Sequence, residues 1–579
     1  MSSFHFSPRP NRAADIRWQP WDDAAFDRAR AEGKPILLAI SAVWCHWCHV
    51  MDETTYSDAD VIATINDRFV PVRVDNDQRP DINARYNQGG WPTTAILTSD
   101  GEILKGATYV PPEPMHRLLT QIDALYAEPE RRAAIAEQIA SRKSHRAAAA
   151  AHGDARIPLD VPARIYAFLD ANFDEDFGGF GTEPKFPQTP GLHFLLDWWA
   201  RYRDERTQVM LSKTLHAMSS GGMYDAVEGG FFRYSTTQDF SVPHFEKMLE
   251  DLSGLMLACA RASAMFGDRE LARVAIDVRG YLDRTLWNAE VGAYGGSQDA
   301  DEAYYGRDAA GRRASPKPYV DPVVYTSWNA EAARALIVGG PLVASAGAEP
   351  LAWTRRGIAV LDTLWSKLLV DGLMCRFFDG QPKVRGLLGD QAWSAWAAIA
   401  AHQGTGDTLW LDRARSLVDA AGELYDEATG RYLDRIADTA APGLLAERSG
   451  PLDENSVMAR ALLDLAWLCD DERYRRRAES VLGSLGELYR RYGMHAAGYG
   501  SAVLDAVAPP LDVKIGGTGD RALALRDAAR ACAAPPLRIA ADPENTQAAA
   551  ALCRADACFA RARTPSELLD ALSHVPAFA

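Results

Sequence analysis

The pair Cys45 and Cys48 constrains the fold of this chain more than any other feature. The two cysteines follow the apolar run at residues 35–42, which predicts a buried strand, and they open a segment with a helical pattern. Cysteines three residues apart at a helix start lie on one turn, close enough to form a disulfide. Helix N-terminal amides and the helix dipole favour a thiolate there. The pair therefore predicts a thiol–disulfide site, with Cys45 attacking and Cys48 resolving the mixed disulfide.

The surrounding segments follow the order of a thioredoxin-like fold. A second strand is predicted at residues 69–75, and two further strands meet at Asp100-Gly101, a hairpin turn signal. A helix that starts after prolines closes the module. The order β-α-β-α-β-β-α predicts a thioredoxin-like domain over residues 1–127.

Single residues around the pair shape the expected chemistry. Pro92, just ahead of a strand, resembles the cis-proline that faces the thiols in thioredoxins, and His46 would lower the pKa of the attacking thiol when protonated. Ala39 stands where thioredoxins carry a buried acid that helps to deprotonate the resolving thiol. This departure predicts slow reductase turnover or another base, such as His49 or Asp75.

Three other interpretations of the motif stay open. The pattern Cys-x-x-Cys-His is also that of c-type haem attachment, which normally occurs in an exported, mostly helical domain. A zinc site from Cys45, Cys48 and His49 would lack the fourth ligand of a structural cage. The third interpretation is a structural pair without redox chemistry. We expect no metal and no cofactor.

Composition narrows the class of protein. The chain has 579 residues, 47% of them hydrophobic, and a net charge of −16, so we expect several domains and no nucleic-acid partner. The sequence contains no run of 18 apolar residues, so no membrane span is predicted. The first residues lack the apolar core of a secretory signal. These patterns predict a cytoplasmic location. Eight cysteines do not make a disulfide scaffold.

The remainder of the chain is predicted to be mostly helical. Residues 128–157 are charged and alanine-rich, which predicts a helical linker. Eleven or twelve helices, paired by short polar turns, are predicted after it. A two-helix unit cannot bury both faces alone, so six units closing on themselves predict an (α/α)6 toroid over residues 158–508. An open solenoid is the alternative.

Glycine- and aromatic-rich loops are expected at one end of this toroid, where the inner helices begin. Aromatic rings stack on sugar faces and carboxylates accept hydroxyl protons, so the loops favour a carbohydrate-like ligand. The candidate acid/base groups are His244, Glu246, Asp299, Asp301 and Asp390. Structural roles are the alternative: a cap or core histidine, a Glu246–Lys247 ion pair and turn-capping aspartates.

Residues 509–579 predict a small C-terminal α/β segment. It carries Cys553 and Cys558, which would exchange disulfides with Cys45 if they lay near it. Alternatively, the two cysteines are unrelated thiols on a helix spanning residues 547–563.

Several blocks of the sequence resemble the YyaL/spermatogenesis-associated protein 20 family, a DUF255-type family of thioredoxin-domain proteins. They include WCHWCHVM (44–51), NDRFVPVRVD (66–75), GGWP (89–92), GGMYD (221–225), GGFFRY (229–234) and VPHFEKMLED (242–251). The triplets at 299–301, 327–329 and 454–456 follow in family order, which adds Trp328 and Asn329 to the candidates. The resemblance implies a thioredoxin-like domain followed by an (α/α)6 toroid similar to sugar epimerases and six-hairpin glycosidases. The segments 301–328 and 452–456 depart from the family pattern.

Three hypotheses for the function follow. The first is a thiol–disulfide redox protein whose toroid binds a protein client or a small carbohydrate-like ligand. The second is a carbohydrate-active enzyme, epimerase- or glycosidase-like, regulated by its thioredoxin module. The third is a scaffold that keeps both folds without catalysis.

Overall fold

The computed structural model describes residues 4–128, 130–132, 134–135, 137, 156–542, 544–554 and 557–577. Its chain divides into two compact units, Met1–His152 with Arg435–Ser449, and Gly153–Asp434 with Gly450–Ala579. Most of the linker predicted at 128–157 lies outside the described residues. In the described ranges, no helix is both long and apolar enough to cross a membrane.

The first unit is built on a four-stranded sheet. Its strands are β1 (Ile36–Ser41), β2 (Val70–Asp75), β3 (Thr93–Leu97) and β4 (Ile103–Ala107). They lie in the order β2-β1-β3-β4, with β1 parallel to β2 and antiparallel to β3. The helices are α1 (Asp23–Glu32), α2 (His46–Glu53), α3 (Ala59–Arg68), α4 (Pro80–Tyr86) and α5 (Pro112–Ala127). This order confirms the predicted thioredoxin-like fold.

Hydrophobic side chains cover both faces of this sheet. All six residues of β1 are buried, which is typical of a strand covered on both sides. On one face, Phe26 of α1 and Tyr86 of α4 belong to a buried cluster. On the other, Met51 of α2 and Leu119 of α5 do so.

The segment 435–449 is far away in sequence, yet it contributes to the core of the first unit. Ala441 and Leu445 are buried in the same cluster as Tyr86. The Tyr86 hydroxyl donates to the carbonyl of Gly101 (2.7 Å) and accepts from the backbone N–H of Leu444 (2.9 Å). The predicted toroid range, 158–508, thus contains a stretch that folds with the thioredoxin module.

The second unit contains twelve helices of eleven or more residues between positions 156 and 510, a span that the structure describes completely. They are α6 (Val161–Ala171), α7 (Thr189–Tyr202), α8 (Glu205–Ser220), α9 (Leu249–Phe266), α10 (Arg269–Tyr281), α11 (Thr326–Leu342), α12 (Pro350–Lys367), α13 (Leu388–Thr405), α14 (Thr408–Ala420), α15 (Leu452–Leu468), α16 (Glu472–Ser484) and α17 (Ala497–Val507).

Alternate helices close into a ring. Helix α7 packs on α9, α9 on α11, α11 on α13, α13 on α15, α15 on α17 and α17 on α7. These six form the inner layer, and the other six pack outside as their hairpin partners. The closed ring confirms the (α/α)6 toroid and excludes the open solenoid. Because long loops precede each inner helix, they gather at one end, which we call the ring mouth.

Short strands occupy these loops. Their bounds are Tyr234–Ser235, Pro243–His244, Lys247–Met248, Trp287–Asn288, Ala293–Tyr294, Ser297–Gln298, Val324–Tyr325, Leu369–Val370, Leu373–Phe378, Pro382–Arg385, Tyr425–Asp426 and Arg431–Tyr432. Two short helices, Glu302–Tyr305 and Ala309–Arg313, lie among them.

One amide side chain braces the preceding hairpin in three successive repeats. Asn329 of α11 accepts from the backbone N–H of Tyr294 (2.8 Å) and donates to its carbonyl (2.9 Å). Gln391 of α13 makes the same pair of bonds to Met374. Asn455 of α15 makes them to Tyr432. Each of these amides is the fourth residue of an inner helix, so the same side-chain contact recurs in three repeats of the ring.

The chain ends in a second mixed sheet. Its elements are β5 (Leu511–Gly516), α18 (Asp520–Arg530), β6 (Leu537–Asp542), β7 (Ala550–Arg554), β8 (Ala557–Ala562) and α19 (Pro565–Ser573). The strand order β6-β5-β7-β8, with β5 parallel to β6 and antiparallel to β7, repeats that of the first sheet. The alternative helix at 547–563 is therefore wrong, because its cysteines lie on two paired strands.

Candidate functional site

A disulfide joins Cys45 and Cys48 at the start of α2, with their Cα atoms 5.2 Å apart. Cys45 caps the helix, and its Sγ accepts a hydrogen bond from the backbone N–H of Cys48 over 3.2 Å. Both residues are buried, Cys45 at 4% and Cys48 at 2% exposure. A helix N-terminus with an N–H directed at sulfur stabilises a thiolate.

Two tryptophans flank the disulfide. The Trp44 indole N–H donates to a carboxylate oxygen of Asp77 (2.7 Å), and its ring meets that of Trp91 edge-on, with centroids 5.7 Å apart. The peptide bond between Trp91 and Pro92 is cis. Trp47, between the cysteines, is 48% exposed and packs against His46. The exposed indole thus forms an apolar surface beside the disulfide.

The missing buried acid has a structural counterpart. Ala39 on β1 pairs with Arg73 on β2. The Arg73 guanidinium donates to both carboxylate oxygens of Asp52 on α2, over 2.8 and 3.0 Å, and all four atoms are buried. Asp52 thus lies one turn beyond the second cysteine, but a guanidinium holds it as an ion pair.

The two alternative bases differ in their surroundings. His49, the residue after the motif, is buried, and its Nε2 lies 3.1 Å from the carbonyl of Val43. Burial and the neighbouring His5 lower the pKa of His49 to about 4, so its imidazole is neutral at pH 7. Asp75 accepts from the backbone N–H groups of Asp77 and Gln78, which caps a turn. A pKa of about 4 also makes the His49 imidazole a weak proton acceptor.

The contacts of Cys45, Cys48 and His49 do not support the haem and zinc interpretations of the motif. Cys45 and Cys48 are bonded to each other, and His49 contacts a carbonyl. Across the described residues, no group of three or more His, Cys, Asp or Glu side chains is arranged to hold a metal ion.

At the ring mouth, the structure brings His244, Glu246 and Asp299 together. His244 lies on a short strand rather than at a helix start, and its Nδ1 is 2.8 Å from the Glu246 carboxylate. Gln298 pairs with Lys247, so the next residues along, Asp299 and Glu246, are neighbours across the strands. Both carboxylates are buried.

The aromatic and ionic neighbours of this group are specific. The His244 ring stacks on Tyr234 at 4.8 Å, and Tyr234 stacks on Phe186 at 4.6 Å. Lys247 does not pair with Glu246, as the structural alternative had it. Instead, its Nζ donates to Asp225 over 2.7 Å. Glu246 is therefore left facing the histidine.

Two candidates have structural roles. Asp301 caps the short helix Glu302–Tyr305, since its carboxylate accepts from the backbone N–H of Tyr304 (2.9 Å). Asn329 is the brace of the hairpin described above, with both amide atoms bonded to backbone.

Asp390 belongs to a second polar group at the mouth. Its Oδ1 accepts from the backbone N–H of Ser327 (3.0 Å) and lies 3.3 Å from Arg376, while its Oδ2 has no hydrogen-bond partner among the residues that the structure describes. Burial raises the pKa of Asp390 to about 6, against the lowering effect of Arg376. Trp328 is 7% exposed and packs against Tyr325, so it is a packing residue more than an open platform.

Sequence reasoning missed further acids in the first turns of the inner helices. Burial raises the pKa of Asp251, on α9, to about 6. Desolvation and Glu454 raise the pKa of Asp453, on α15, to about 7, and burial raises that of Glu454 itself. Burial and Glu250 raise the pKa of Glu331, on α11. The signal that could have identified these residues is an acidic residue near a helix start, directly after a loop.

The C-terminal cysteines are also joined. Cys553 on β7 faces Cys558 on β8 in the hairpin register, and a disulfide links them. Cys553 is 1% exposed.

Comparisons with known proteins agree with the resemblance seen in the sequence. Residues 9–145 match the family model described as "Thioredox_DsbH: Protein of unknown function, DUF255". Human spermatogenesis-associated protein 20 is 34% identical over 307 residues, which cover 49% of this chain and 39% of the human protein. The aligned part thus spans well under half of that relative. Thiol:disulfide interchange protein DsbD of Pseudomonas fluorescens is 31% identical over 80 residues, covering 13% of this chain and 14% of that protein.

Solved structures similar to this chain include D-mannose isomerase (TM-score 0.47, 12% identity, 60% of this chain and 96% of that chain). Another is cellobiose 2-epimerase from Bacillus thermoamylovorans (TM-score 0.46, 9% identity, 58% of this chain and 87% of that chain).

Proposed function

We propose that this chain, which belongs through residues 9–145 to the DUF255 thioredoxin family together with spermatogenesis-associated protein 20, exchanges disulfides with a protein client through Cys45 and Cys48. The observation that carries the proposal is the hydrogen bond from the Cys48 N–H to Cys45 Sγ at the N-terminus of α2. It supports the ionised form of the attacking sulfur. The short match to a thiol:disulfide interchange protein supports the same chemistry.

The reaction starts from the reduced pair. The Cys45 thiolate attacks one sulfur of a client disulfide, a mixed disulfide forms, and the other client sulfur leaves as a thiolate. The Cys48 thiol then loses its proton to solvent water and attacks Cys45 Sγ. This step forms the Cys45–Cys48 disulfide and releases the second client thiol. A dithiol reductant returns the pair to the reduced state by the reverse sequence.

The first test is insulin reduction with dithiothreitol as the electron donor. Wild-type protein is expected to accelerate precipitation of the insulin B chain over dithiothreitol alone, and Cys45→Ser is expected to abolish the acceleration. The control is Cys259→Ser, because Cys259 is a buried free cysteine on α9. Equal rates for wild type and Cys45→Ser would reject the proposal.

We propose as a second candidate that the ring mouth binds a small carbohydrate-like ligand and carries acid/base chemistry on it. Specific support comes from His244 and Glu246, which lie 2.8 Å apart beside the stacked ring of Tyr234, and from Asp390, whose raised pKa is typical of a general acid.

Thermal unfolding with a panel of neutral mono- and disaccharides tests this candidate. A ligand sugar is expected to raise the unfolding temperature of wild type but not of Glu246→Gln. The control is Glu113→Gln, an exposed position on α5. A panel without effect on wild type would contradict it.

A further inference from the structure

The six inner helices place one layer of side chains across the axis of the ring. Because each outer helix returns the chain, the inner helices run in the same direction. Residues eight positions from each helix start therefore lie at one depth, about 12 Å below the ring mouth. They are Asp197 (α7), Leu257 (α9), Arg334 (α11), Trp396 (α13), Arg460 (α15) and Asp505 (α17).

The layer is charged, and most of its charges are paired. Arg460 donates to Asp505 (2.7 Å) and to Asp197 (3.1 Å). Asp197 and Arg460 lie on α7 and α15, which α17 separates, so their bond crosses the interior of the ring. Arg261 donates to Asp197 over 2.6 Å, and Arg201 donates to Asp505 over 2.6 Å. Each aspartate thus serves two arginines.

Arg334 is the exception. Its guanidinium carbon lies 3.6 Å from the ring centroid of Trp396, and that of Arg460 lies 4.6 Å from the same centroid. No described residue accepts a hydrogen bond from Arg334, and its Nε is buried without a partner. The side chain is partly exposed although it lies on an inner helix, so water reaches it. Burial of an unpaired guanidinium costs roughly several kcal/mol of desolvation free energy.

The nearby acids do not neutralise it. Three arginines, at 201, 261 and 460, share the carboxylates of Asp197 and Asp505, while burial raises the pKa of Asp464 to about 6. Asp464 accepts from the Trp396 indole N–H over 3.2 Å. Glu331, one turn above Arg334, has its pKa raised well above the ordinary value by burial. A carboxyl with a pKa of about 6 is still mostly ionised at pH 7, so the four guanidinium groups of the axis face three carboxylates. The axis therefore retains a surplus of about one positive charge.

We propose that Arg334, stacked on Trp396 at the axis of the ring, is an anion-binding subsite that takes the phosphate or carboxylate group of a small ligand entering from the ring mouth. A planar guanidinium held against an indole presents its N–H edge for a bidentate bond to either group. The inference goes beyond both proposed functions, because it concerns an anionic group and does not depend on Cys45.

The test is ³¹P NMR of inorganic phosphate titrated with the full chain. Wild type is expected to broaden the phosphate line, and Arg334→Met is expected to weaken this binding at least tenfold. The matched control is Arg356→Met. Arg356 stacks on Trp287 at 3.8 Å in the same way, but it is on outer helix α12 and pairs with Asp283. The Arg356→Met variant should bind phosphate as wild type does.

Competition then distinguishes the two anion classes. Displacement of phosphate by glucose 6-phosphate alone indicates a phosphoryl ligand, and displacement by glucuronate as well indicates that a carboxylate is also accepted. Displacement by neutral glucose to the same extent would overturn the proposal, and so would a wild type without line broadening.

Folding is checked in parallel. Arg334→Met removes a guanidinium whose Nε is buried without a partner, so the unfolding temperature of this variant is expected to equal or exceed that of wild type. If the unfolding temperature of Arg334→Met is lower than that of wild type, the phosphate affinity of Arg334→Lys is measured instead. Lysine keeps the positive charge but cannot form the bidentate bond. Phosphate affinity of Arg334→Lys equal to that of wild type would overturn the proposal. Cys45→Ser should bind phosphate normally, so failure of the redox proposal leaves this result intact.

Discussion

The backbone N–H of Cys48 donates a hydrogen bond to Sγ of Cys45 over 3.2 Å, at the first turn of α2. In the proposed reaction, the residue that resolves the mixed disulfide therefore also stabilises the sulfur that forms it. Because this donor is a backbone group, a side-chain substitution at position 48 removes the resolving thiol and leaves the stabilising bond in place.

This separation predicts that Cys48→Ser traps clients. Its Cys45 attacks a client disulfide, and the mixed disulfide persists because no second thiol releases it. Non-reducing electrophoresis of Cys48→Ser after reaction with insulin should show a covalent adduct that dithiothreitol removes. The double variant Cys45→Ser/Cys48→Ser is the control. An adduct of equal yield in that control would place the reactive thiol elsewhere.

His49 predicts a pH dependence of stability. Its folded pKa is about 4 and its unfolded pKa about 6.5, so the unfolded state binds more protons between these values. The stabilising contribution is complete above pH 6.5 and is lost as the pH falls through this window. From pH 7 to pH 5 the thioredoxin module should lose about 2 kcal/mol, measured by hydrogen exchange of the β1 amides.

Variants isolate this contribution. His49→Gln should flatten the pH dependence, while His116→Gln, at an exposed position on α5, should leave it as in wild type. A His49→Gln profile as steep as that of wild type would show that the loss comes from other groups.

Tyr86 predicts how the segment 435–449 is held. Tyr86→Phe removes the bonds to Gly101 and Leu444 and leaves a buried backbone N–H and carbonyl without a partner. We expect a loss of about 1–3 kcal/mol and faster hydrogen exchange at Leu444. The control is Tyr109→Phe, whose hydroxyl makes one exposed contact of 3.3 Å with Thr54. Unchanged exchange at Leu444 would contradict this role.

Asn329 predicts a structural effect without a chemical one. Asn329→Ala leaves the backbone N–H and carbonyl of Tyr294 unpaired, so we expect about 2–4 kcal/mol of destabilisation, seen in urea unfolding of the ring. Insulin reduction should keep its wild-type rate. Gln208→Ala, at an exposed position on α8, should be near neutral. A stable Asn329→Ala variant would argue against the brace.

Much of the first unit follows from local patterns in the sequence. The buried run of β1 and the cysteine pair at the start of α2 predict the thioredoxin-like order, because strand burial and helix capping are local properties. The place of Leu444 and Leu445 in that module does not follow from them. A contact between residues some 350 positions apart leaves no periodic trace.

The ring mouth was harder to predict. Acidic residues next to loops are visible in the sequence, but burial decides which of them have a raised pKa. In the sequence, Asp301 and Asp251 are both aspartates beside a loop. In the structure, Asp301 caps a short helix, whereas burial raises the pKa of Asp251 to about 6. The charged layer at Arg334 emerges only when six helix starts are aligned by the closed ring.

The most direct test of the redox account is the alkylation rate of Cys45 as a function of pH. Reduced Cys48→Ser would be treated with iodoacetamide and the peptide of Cys45 followed by mass spectrometry, with Cys532 as the internal reference thiol. The account predicts a rate that reaches half its maximum at or below about pH 7.5. A midpoint near pH 8.5, that of an ordinary thiol, would contradict it.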